Sequence, residues 1–254
     1  MNRIAKIEVF NNDDTFAFWS IIWSKNDDED YYIYNYPSQD LPLDFELRFQ
    51  SEAQLIPRAY YRPSRPPLLT IAASSSDLSS SSSYIKKPLP LSYEPESPED
   101  TSVADGIIRE ALVLESLTRL GGHGNICEYR GFVEREGYIS GLCFKRYGKS
   151  LEDAVRDGDE VNVEEVLKGI KSGLEWLHSH GWVHGDICPY NIMLESGSNM
   201  IPVIIDFDSC TRLGHHITGK GGTPGWSLDS DIAEKENDFY GLALIEIWLC
   251  QCRL

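Results

Sequence analysis

Two short stretches near the carboxyl end decide the fold: His184-Gly185-Asp186-Ile187-Cys188-Pro189-Tyr190-Asn191 and Ile204-Ile205-Asp206-Phe207-Asp208. They supply an aspartate at 186, an asparagine five positions later, and a second aspartate at the end of an apolar run. An aspartate can accept the proton of an attacking hydroxyl, and amide and carboxylate oxygens are the kind of ligand that Mg²⁺ prefers. The combination therefore predicts nucleotide-dependent phosphoryl transfer.

The residues around these stretches predict a helix, a loop and a hairpin. Apolar residues at spacings of four and three predict a helix from about Val163 to His180, which Gly181 ends. Apolar runs at 192–194 and 203–205, separated by a polar turn at 195–199, predict a short hairpin. Aspartates and asparagines also occupy ordinary surface turns, because they bond to their own backbone. Both stretches in this order, joined by a hairpin, favour a functional site.

The chain resembles the protein-kinase-like superfamily, most closely fungal protein kinase domains that carry an Asp-Phe-Asp-Ser segment. The resemblance covers about Ser83 to Trp248. It implies an α+β, two-lobed protein-kinase-like fold, with a β-rich amino-terminal lobe and a truncated helical carboxyl-terminal lobe. Besides the two stretches, the segments that carry it are Tyr84-Ile85-Lys86-Lys87-Pro88, His123-Gly124-Asn125-Ile126-Cys127-Glu128-Tyr129, Leu142-Cys143-Phe144-Lys145-Arg146-Tyr147, Gly221-Gly222-Thr223-Pro224-Gly225-Trp226 and Asn237-Asp238-Phe239-Tyr240-Gly241.

The resemblance also implies roles for individual residues. Asp186 would be the catalytic base, and Lys86 and Glu110 would form the ion pair that completes the catalytic set. Mg²⁺ would be held by Asn191 and Asp206. ATP and Mg²⁺ are thus the implied cofactors, and the residues implied to bind them are Lys86, Phe144 (as gatekeeper), Arg146, Asn191 and Asp206. The resemblance further implies that His184 packs against Phe207 and that Asp238 supports the catalytic loop.

Several positions depart from the family's pattern. Gly185 stands where an arginine is usual, so a phosphorylated activation loop would have no arginine there to pair with. Cys188 replaces the usual lysine, and Asp208 replaces the glycine of Asp-Phe-Gly. No glycine occurs between Met1 and Ala104, so the Gly-rich loop that approaches the ATP phosphates is absent, and Tyr84 would crowd the base.

Three functions compete on these grounds. The matches favour phosphoryl transfer to a protein Ser/Thr hydroxyl, with a protein as substrate or partner. The departures favour a pseudokinase or scaffold without turnover. The His-Gly-Asp and Ile-Asp-Phe-Asp sequences also resemble aminoglycoside phosphotransferases and choline kinases, which share the fold and act on small molecules.

The first third of the chain predicts a separate β-rich region at 1–72. Aromatic and β-branched runs predict an antiparallel meander, with strands at 4–10, 15–23, 31–36 and 45–49. The arginines Arg58, Arg62 and Arg65 among prolines predict an extended connector, and the serine run Ser74–Ser83 predicts a disordered linker. The predicted divisions are 1–72, a Ser-rich linker at 73–83, the rest of the N-lobe at 84–146, and the C-lobe at 147–254.

Charge and hydropathy exclude some partners. A formal net charge of −17 argues against binding to nucleic acid or an anionic membrane, which requires clustered Lys and Arg. Neither a signal peptide nor a membrane-spanning run is apparent, which predicts the cytosol or nucleus. The segment 238–252 is apolar nearly all round and lies close to the end of the chain, which predicts that a partner or a second copy covers it.

Overall fold

The computed structural model describes residues 2–11, 13–25, 30–95, 100–195, 197, 200–218 and 220–252. The chain divides into two compact units. The first comprises Met1–Ser64 and Pro88–Asp105, and the second comprises Arg65–Lys87 and Gly106–Leu254. Helices and strands are mixed, which confirms the predicted α+β class. The divisions predicted at 72, 83 and 146 stay predictions.

The first unit is built on a four-stranded antiparallel sheet in the order β1-β2-β3-β4. Its central strand β2 is buried on both faces: Ile22 packs into a tyrosine-rich cluster, while Ile21 and Trp23 pack with Phe49. The elements are β1 (Asn2–Phe10), β2 (Phe16–Ser24), β3 (Tyr31–Tyr36), helix α1 (Phe45–Phe49), β4 (Gln54–Leu55) and helix α2 (Arg58–Tyr61).

Two predictions for this unit are wrong. The segment Phe45–Phe49 forms helix α1 rather than a strand, because Phe45 and Phe49 are one helical turn apart and pack in the same cluster. The ring of Phe49 stacks on that of Tyr34, with centroids 4.5 Å apart. The predicted extended connector is helical at its start, where α2 buries the rings of Tyr60 and Tyr61.

The second unit begins with a three-stranded antiparallel sheet in the order β5-β7-β6. Strand β5 lies at its edge, and within the described residues no strand pairs with the other side of β5. The elements of this part are helix α3 (Ser75–Ser79), β5 (Ser83–Lys86), helix α4 (Ser102–Arg119, whose first four residues belong to the first unit), β6 (Tyr129–Arg135) and β7 (Tyr138–Lys145).

The serine run before β5 is ordered, so the predicted disordered linker is wrong. Ser74 caps helix α3: its hydroxyl accepts from the Asp77 amide, and the Asp77 carboxylate accepts from the Ser74 amide. This reciprocal pair satisfies two amides at the helix start. A turn at Ser81-Ser82 then leads directly into β5.

The remainder of the second unit is mainly helical and packs around α6. The predicted helix is confirmed as Val163–Ser179, with the apolar stripe buried at Val166, Ile170, Leu174 and Leu177. The predicted hairpin is also confirmed, although residues 196, 198 and 199 of its turn lie outside the described residues. The elements are α5 (Leu151–Arg156), α6 (Val163–Ser179), β8 (Trp182–Val183), β9 (Ile192–Leu194), β10 (Pro202–Ile204), β11 (Thr211–Arg212) and α7 (Lys235–Gln251), with 3₁₀ turns at Pro189–Asn191 and Phe207–Ser209.

Helix α7 is less exposed than its composition predicts. The apolar composition of 238–252 predicts exposed side chains on several faces, including Ile245 and Leu249, but these two are buried in the core of the unit, so that expectation is wrong for them. Trp248 is partly covered, with its ring centroid 6.1 Å from that of Trp226. Tyr240 and Ile247 are exposed, at 40% and 54%. Neither α7 nor any other helix in the described ranges combines the length and apolar content needed to cross a membrane.

Candidate active site

A partly buried ion-pair cluster joins the sheet, helix α4 and the segment after the hairpin β9-β10. Lys86, the last residue of β5, places its Nζ 2.9 and 2.8 Å from the two carboxylate oxygens of Glu110, which is buried on α4. The same Nζ also contacts Asp206 Oδ1. Burial alone would lower the pKa of Lys86, but the two carboxylates outweigh it and raise that pKa above its ordinary value. Lys86 is therefore a fixed positive charge.

Asp206 follows the hairpin in a conformation that L-residues seldom adopt. Its φ is 67° and its ψ 74°, in the left-handed region, just before the 3₁₀ turn Phe207–Ser209. Such backbone strain persists where the surroundings over-determine it, and here it turns the carboxylate towards Lys86. Burial raises the pKa of Asp206, but the nearby ammonium groups of Lys86 and Lys220 more than offset this and hold that pKa below its ordinary value.

Lys220 is a cation that the sequence did not point to. Its Nζ lies 3.1 Å from Asp208 Oδ2 and 3.8 Å from Asp206 Oδ2. Burial opposes protonation, yet these carboxylates raise the pKa of Lys220 above its ordinary value. The Lys220 ammonium group therefore lies beside both aspartates of Asp206-Phe207-Asp208. The sequence predicted no role for Lys220. Its proximity to them depends on the tertiary fold, so no spacing in the sequence could have revealed it.

Asp186 lies in the loop after β8 and is buried, with 2% exposure. Its Oδ2 accepts from the Asn191 amide at 2.9 Å, and its Oδ1 accepts from the Thr223 backbone N–H at 2.6 Å. The amide of Asn191 also donates to the Asp186 carbonyl at 3.0 Å, so the NH₂ faces Asp186 and the amide oxygen is left for other partners. Both oxygens of the candidate base are thus engaged by the protein itself.

A second buried carboxylate, that of Asp238 on α7, supports the loop that carries Asp186. Asp238, at 0% exposure in α7, accepts from the backbone N–H groups of His184 at 2.9 Å and Gly185 at 2.8 Å. It also bonds to His178 Nε2 at 2.7 Å. His184 in turn packs edge-on against Phe207, with centroids 4.9 Å apart, and its Nε2 lies 2.9 Å from the Ile205 carbonyl. The loop and the Asp206 segment are therefore fixed to each other.

The glycine that replaces the expected arginine has a local reason. Gly185 has a φ of 81°, in the left-handed region that glycine enters without penalty. A Cβ at this position would lie 3.1 Å from the Ser209 carbonyl oxygen, which is a tight contact. The backbone of this loop therefore favours glycine at position 185.

A cleft of about 440 Å³ opens beside these charges, a volume within the usual range for small-molecule sites. Its lining combines an apolar wall with a charged end formed by Lys86, Glu110 and Asp206. Phe144 and Arg146, for which nucleotide binding stays a prediction, both line it. Tyr84 also lines it and is 49% exposed, with the Arg146 guanidinium 5.8 Å from its ring centroid. The remaining lining residues are Cys127, Lys145, Tyr147, Gly148, Met193 and Ile205.

Asn191, which does not line the cleft, and Asp206 at its charged end have side chains that fit a magnesium ion. Asn191 offers a side-chain amide oxygen and Asp206 a carboxylate, and their backbones are linked because the Ile205 N–H donates to the Asn191 backbone carbonyl at 3.0 Å. Mg²⁺ is commonly held by one or two such groups, with water and substrate phosphates completing the octahedron. Within the described ranges no group of three or more His, Cys, Asp or Glu residues could hold a metal alone. The donor set thus suits a metal that arrives with a phosphate ligand.

Comparison with known proteins agrees with this geometry. A serine/threonine-protein kinase, PKZ1, of Phytophthora infestans is 31% identical over 104 residues, covering 40% of this chain and 26% of its relative. The maternal embryonic leucine zipper kinase of Danio rerio is 25% identical over 144 residues, covering 54% and 21%. The serine/threonine-protein kinase TAO3 of Xenopus laevis is 28% identical over 145 residues, covering 56% and 15%.

The matched part of the chain thus spans about a quarter or less of the length of these relatives. The sequence profile of the protein kinase domain matches residues 83–249, which include every element from β5 to the last turns of α7. The chain belongs to the protein kinase domain family.

Proposed function

We propose that the chain binds Mg²⁺-ATP in the cleft and transfers the γ-phosphoryl group to a serine or threonine hydroxyl of a protein. The observation that carries this proposal is the cluster of Lys86, Glu110 and Asp206 at the charged end of one cleft. The similarity to serine/threonine kinases supports the choice of a protein acceptor.

Each residue has a proposed role in positioning or charge. Lys86, held by Glu110, neutralises phosphate charge, and Asn191 and Asp206 hold the metal. The bound metal supplies Lewis-acid stabilisation of charge on the phosphate oxygens. Asp186 accepts the proton of the acceptor hydroxyl. Catalysis by such a set rests on orientation and electrostatic stabilisation rather than on covalent chemistry.

Lys220 is proposed to supply the positive charge that Cys188 does not. The catalytic loop has cysteine two positions after Asp186, and its thiol is buried and close to the Thr223 hydroxyl. Lys220 lies beside both Asp206 and Asp208, close to where phosphate charge would be held. We expect Lys220→Met to lower kcat more than it weakens ATP binding, since a charge that acts on the transferred group contributes mainly to the transition state.

The segment that carries Thr223 orients the proposed base. The Thr223 backbone N–H donates to Asp186 Oδ1 at 2.6 Å, and this oxygen keeps a second lone pair that can accept the proton of a substrate hydroxyl. We therefore propose that this hydrogen bond positions Asp186 for proton transfer.

Isothermal calorimetry and phosphate-transfer assays on matched variants test the proposal. The wild-type chain should bind Mg²⁺-ATP, and saturating nucleotide at a hundred times its Kd should add about 2.7 kcal/mol of stability. Asp206→Asn should remove binding. Asp186→Asn should retain binding and lose transfer, because the base acts on the acceptor hydroxyl. Absence of binding at millimolar Mg²⁺-ATP would overturn the proposal.

A pseudokinase is the second candidate, and one observation favours it. Strand β5 has no partner strand on its outer edge within the described residues, so no strand paired with β5 on that side offers backbone amides to the phosphates there. Calorimetry and a phosphate-transfer assay distinguish the two candidates. Nucleotide binding without phosphorylation of the chain itself or of generic protein substrates would favour the pseudokinase.

A further inference from the structure

The turn before β5 brings serine hydroxyls against an arginine. Arg130 Nη1 lies 3.2 Å from the Ser82 Oγ and 2.8 Å from the Ser83 Oγ. A second arginine, Arg146, directly follows β7 and reaches the same turn: its backbone N–H donates to the Ser82 carbonyl at 2.7 Å, and its Nε donates to the Ser81 carbonyl at 3.1 Å. Two guanidinium groups therefore converge on one serine-rich turn.

Ser82 and Ser83 differ in accessibility. Ser83 is buried in the start of β5, whereas Ser82 is exposed on the turn. The side chain of Arg130 is only 18% exposed, so it is fixed beneath the turn rather than free in solvent. An enzyme could reach the Ser82 hydroxyl from outside, while the cation that would receive a modified side chain is already in place.

We propose that Ser82 is a phosphorylation site whose phosphate is bound by Arg130, with Arg146 as the second cation. Phosphoserine carries close to two negative charges at neutral pH and offers three strong acceptor oxygens. A guanidinium presents several N–H donors in a plane, which suits bidentate recognition of phosphate. The Ser82 hydroxyl already lies within hydrogen-bond distance of that guanidinium, so attachment of phosphate requires little rearrangement.

The carboxylate that now pairs with Arg130 does not prevent this. Glu128 lies 2.9 Å from Arg130 Nε, but its side chain is 55% exposed. An exposed ion pair of this kind contributes little. A dianionic phosphate is the stronger partner, and it would meet Nη1 while Glu128 keeps Nε.

The modification is an ordinary transfer from ATP by a serine/threonine protein kinase. A bond forms between Ser82 Oγ and the γ-phosphorus, and the bond from that phosphorus to the β–γ bridging oxygen breaks. ADP leaves with that oxygen, and the hydroxyl proton passes to the catalytic base of the acting kinase. The proposal does not require that this chain itself be active.

Phosphate on Ser82 would act on the cleft through β5 and Arg146. It would tie Ser82, the residue just before β5, to β6 through Arg130 and to the end of β7 through Arg146. Lys86 lies four residues further along and Arg146 lines the cleft, so both ends of the strand would be fixed. We expect slower amide exchange at Tyr84 and Ile85 in the phosphorylated chain.

The test places phosphoserine at position 82 by site-directed incorporation into the full chain and titrates it by ³¹P NMR. Nearby guanidinium groups favour the dianion, so the second phosphate pKa should fall by about one unit from its ordinary value of about 6. Phosphoserine at position 79 is the matched control. It belongs to the same serine run, but its hydroxyl contacts the backbone carbonyls of Ser75 and Ser76. Equal pKa values at the two positions would overturn the proposal.

Arginine variants separate binding from a general effect of the turn. In the chain phosphorylated at Ser82, Arg130→Gln should abolish most of the lowering of the phosphate pKa, and Arg146→Gln should abolish a smaller part of it. If Arg130→Gln does not fold, Arg130→Lys keeps a charge without the planar donors and should still diminish the shift. A shift that survives both Arg130→Lys and Arg146→Gln would also contradict the assignment.

A purified serine/threonine kinase of broad specificity tests access to the hydroxyl. Peptide mass spectrometry of the folded chain should find phosphate on Ser82 and none on the buried Ser83. Modification of Ser79 with Ser82 left untouched would show that the turn is not a substrate, and the proposal would fail.

Discussion

The catalytic loop and strand β5 are held in opposite ways. The loop is held by Asp238, a fully buried carboxylate that accepts from two backbone N–H groups of the loop and bonds to His178. Within the loop, the Asn191 side-chain amide donates to the Asp186 backbone carbonyl. Strand β5 is hydrogen-bonded to β7 along one edge only within the described residues, and its Tyr84 is half exposed. Its end is fixed mainly by the ion pairs of Lys86.

This difference indicates that the catalytic loop is the more stable side of the cleft and that strand β5 is the side more easily changed. The groups proposed to act on the acceptor hydroxyl and the metal lie on a preorganised loop, which needs no ligand to form. The strand proposed to meet the nucleotide depends on a few charges and can be strengthened by a ligand or by modification. Changes in the loop should therefore affect folding first, and changes in β5 should affect binding first.

Asp238→Ala should have the largest effect. The change leaves His178 and the amides of His184 and Gly185 buried without their acceptor. Loss of one member of such a buried charged network costs about 3–5 kcal/mol. Denaturant unfolding measures it, with Asp238→Asn as the control that keeps one acceptor oxygen and should lose less. A loss below that of an ordinary surface substitution would show that the loop is not held by Asp238.

Lys86→Met is the matching change on the strand. It leaves Glu110 buried without its cation, so we expect a loss of about 1–3 kcal/mol in unfolding free energy, together with loss of nucleotide binding. Lys149→Met is the control, since Lys149 pairs with Asp157 and Asp159 at the exposed surface and should change stability by less than about 1 kcal/mol. Replacing Glu110 by Leu as well should restore part of the stability without restoring binding. If Lys86→Met binds Mg²⁺-ATP as tightly as the wild-type chain, Lys86 does not take part in nucleotide binding.

The better-held side is also the side whose fold could be predicted from sequence. Helix α6 was predicted to end one residue beyond its observed end, and the hairpin strand predicted at 203–205 is Pro202–Ile204. Both signals are local, because a stripe of apolar residues at helical spacing and two apolar runs around a polar turn need no distant information. The two motifs likewise bring Asp186, Asn191 and Asp206 to one place through a short hairpin.

The predictions failed where distant contacts decide the local structure. The aromatic residues of Phe45–Phe49 have high strand propensity, but one face of a helix brings Phe45 and Phe49 to the same cluster beside β3. The serine run is a different case: it has one apolar residue, Leu78, and the signal that the prediction missed is local, the Ser74–Asp77 capping pair. Lys220 and Thr223 reach Asp206 and Asp186 from segments 14 and 37 residues away, and no pattern in the sequence specifies that closure.

Gly185→Ala tests how far the loop backbone itself is constrained. A non-glycine residue in the left-handed region costs about 1–2 kcal/mol, and the added Cβ would lie 3.1 Å from the Ser209 carbonyl oxygen. Gly158→Ala is the matched control, because Gly158 has a φ of 77° and a Cβ added there would meet no atom within 4 Å. The excess loss at 185 over 158, measured by thermal unfolding, reports the close contact. Equal losses would mean that backbone strain alone keeps glycine there.

The smallest expected effect is acid sensitivity at Asp206, which joins the two sides of the cleft. Although burial opposes ionisation, the ammonium groups of Lys86 and Lys220 lower the pKa of Asp206 in the folded chain. A carboxyl group with a lowered folded pKa stabilises the fold above its unfolded pKa, and this contribution is lost as the pH falls through the folded value. The stability difference between wild type and Asp206→Asn should therefore be constant near neutral pH and shrink below about pH 4. Thermal unfolding of both chains from pH 7 to pH 3 measures it. A difference that stays constant to pH 3 would mean that the charge of Asp206 does not connect β5 to the catalytic loop.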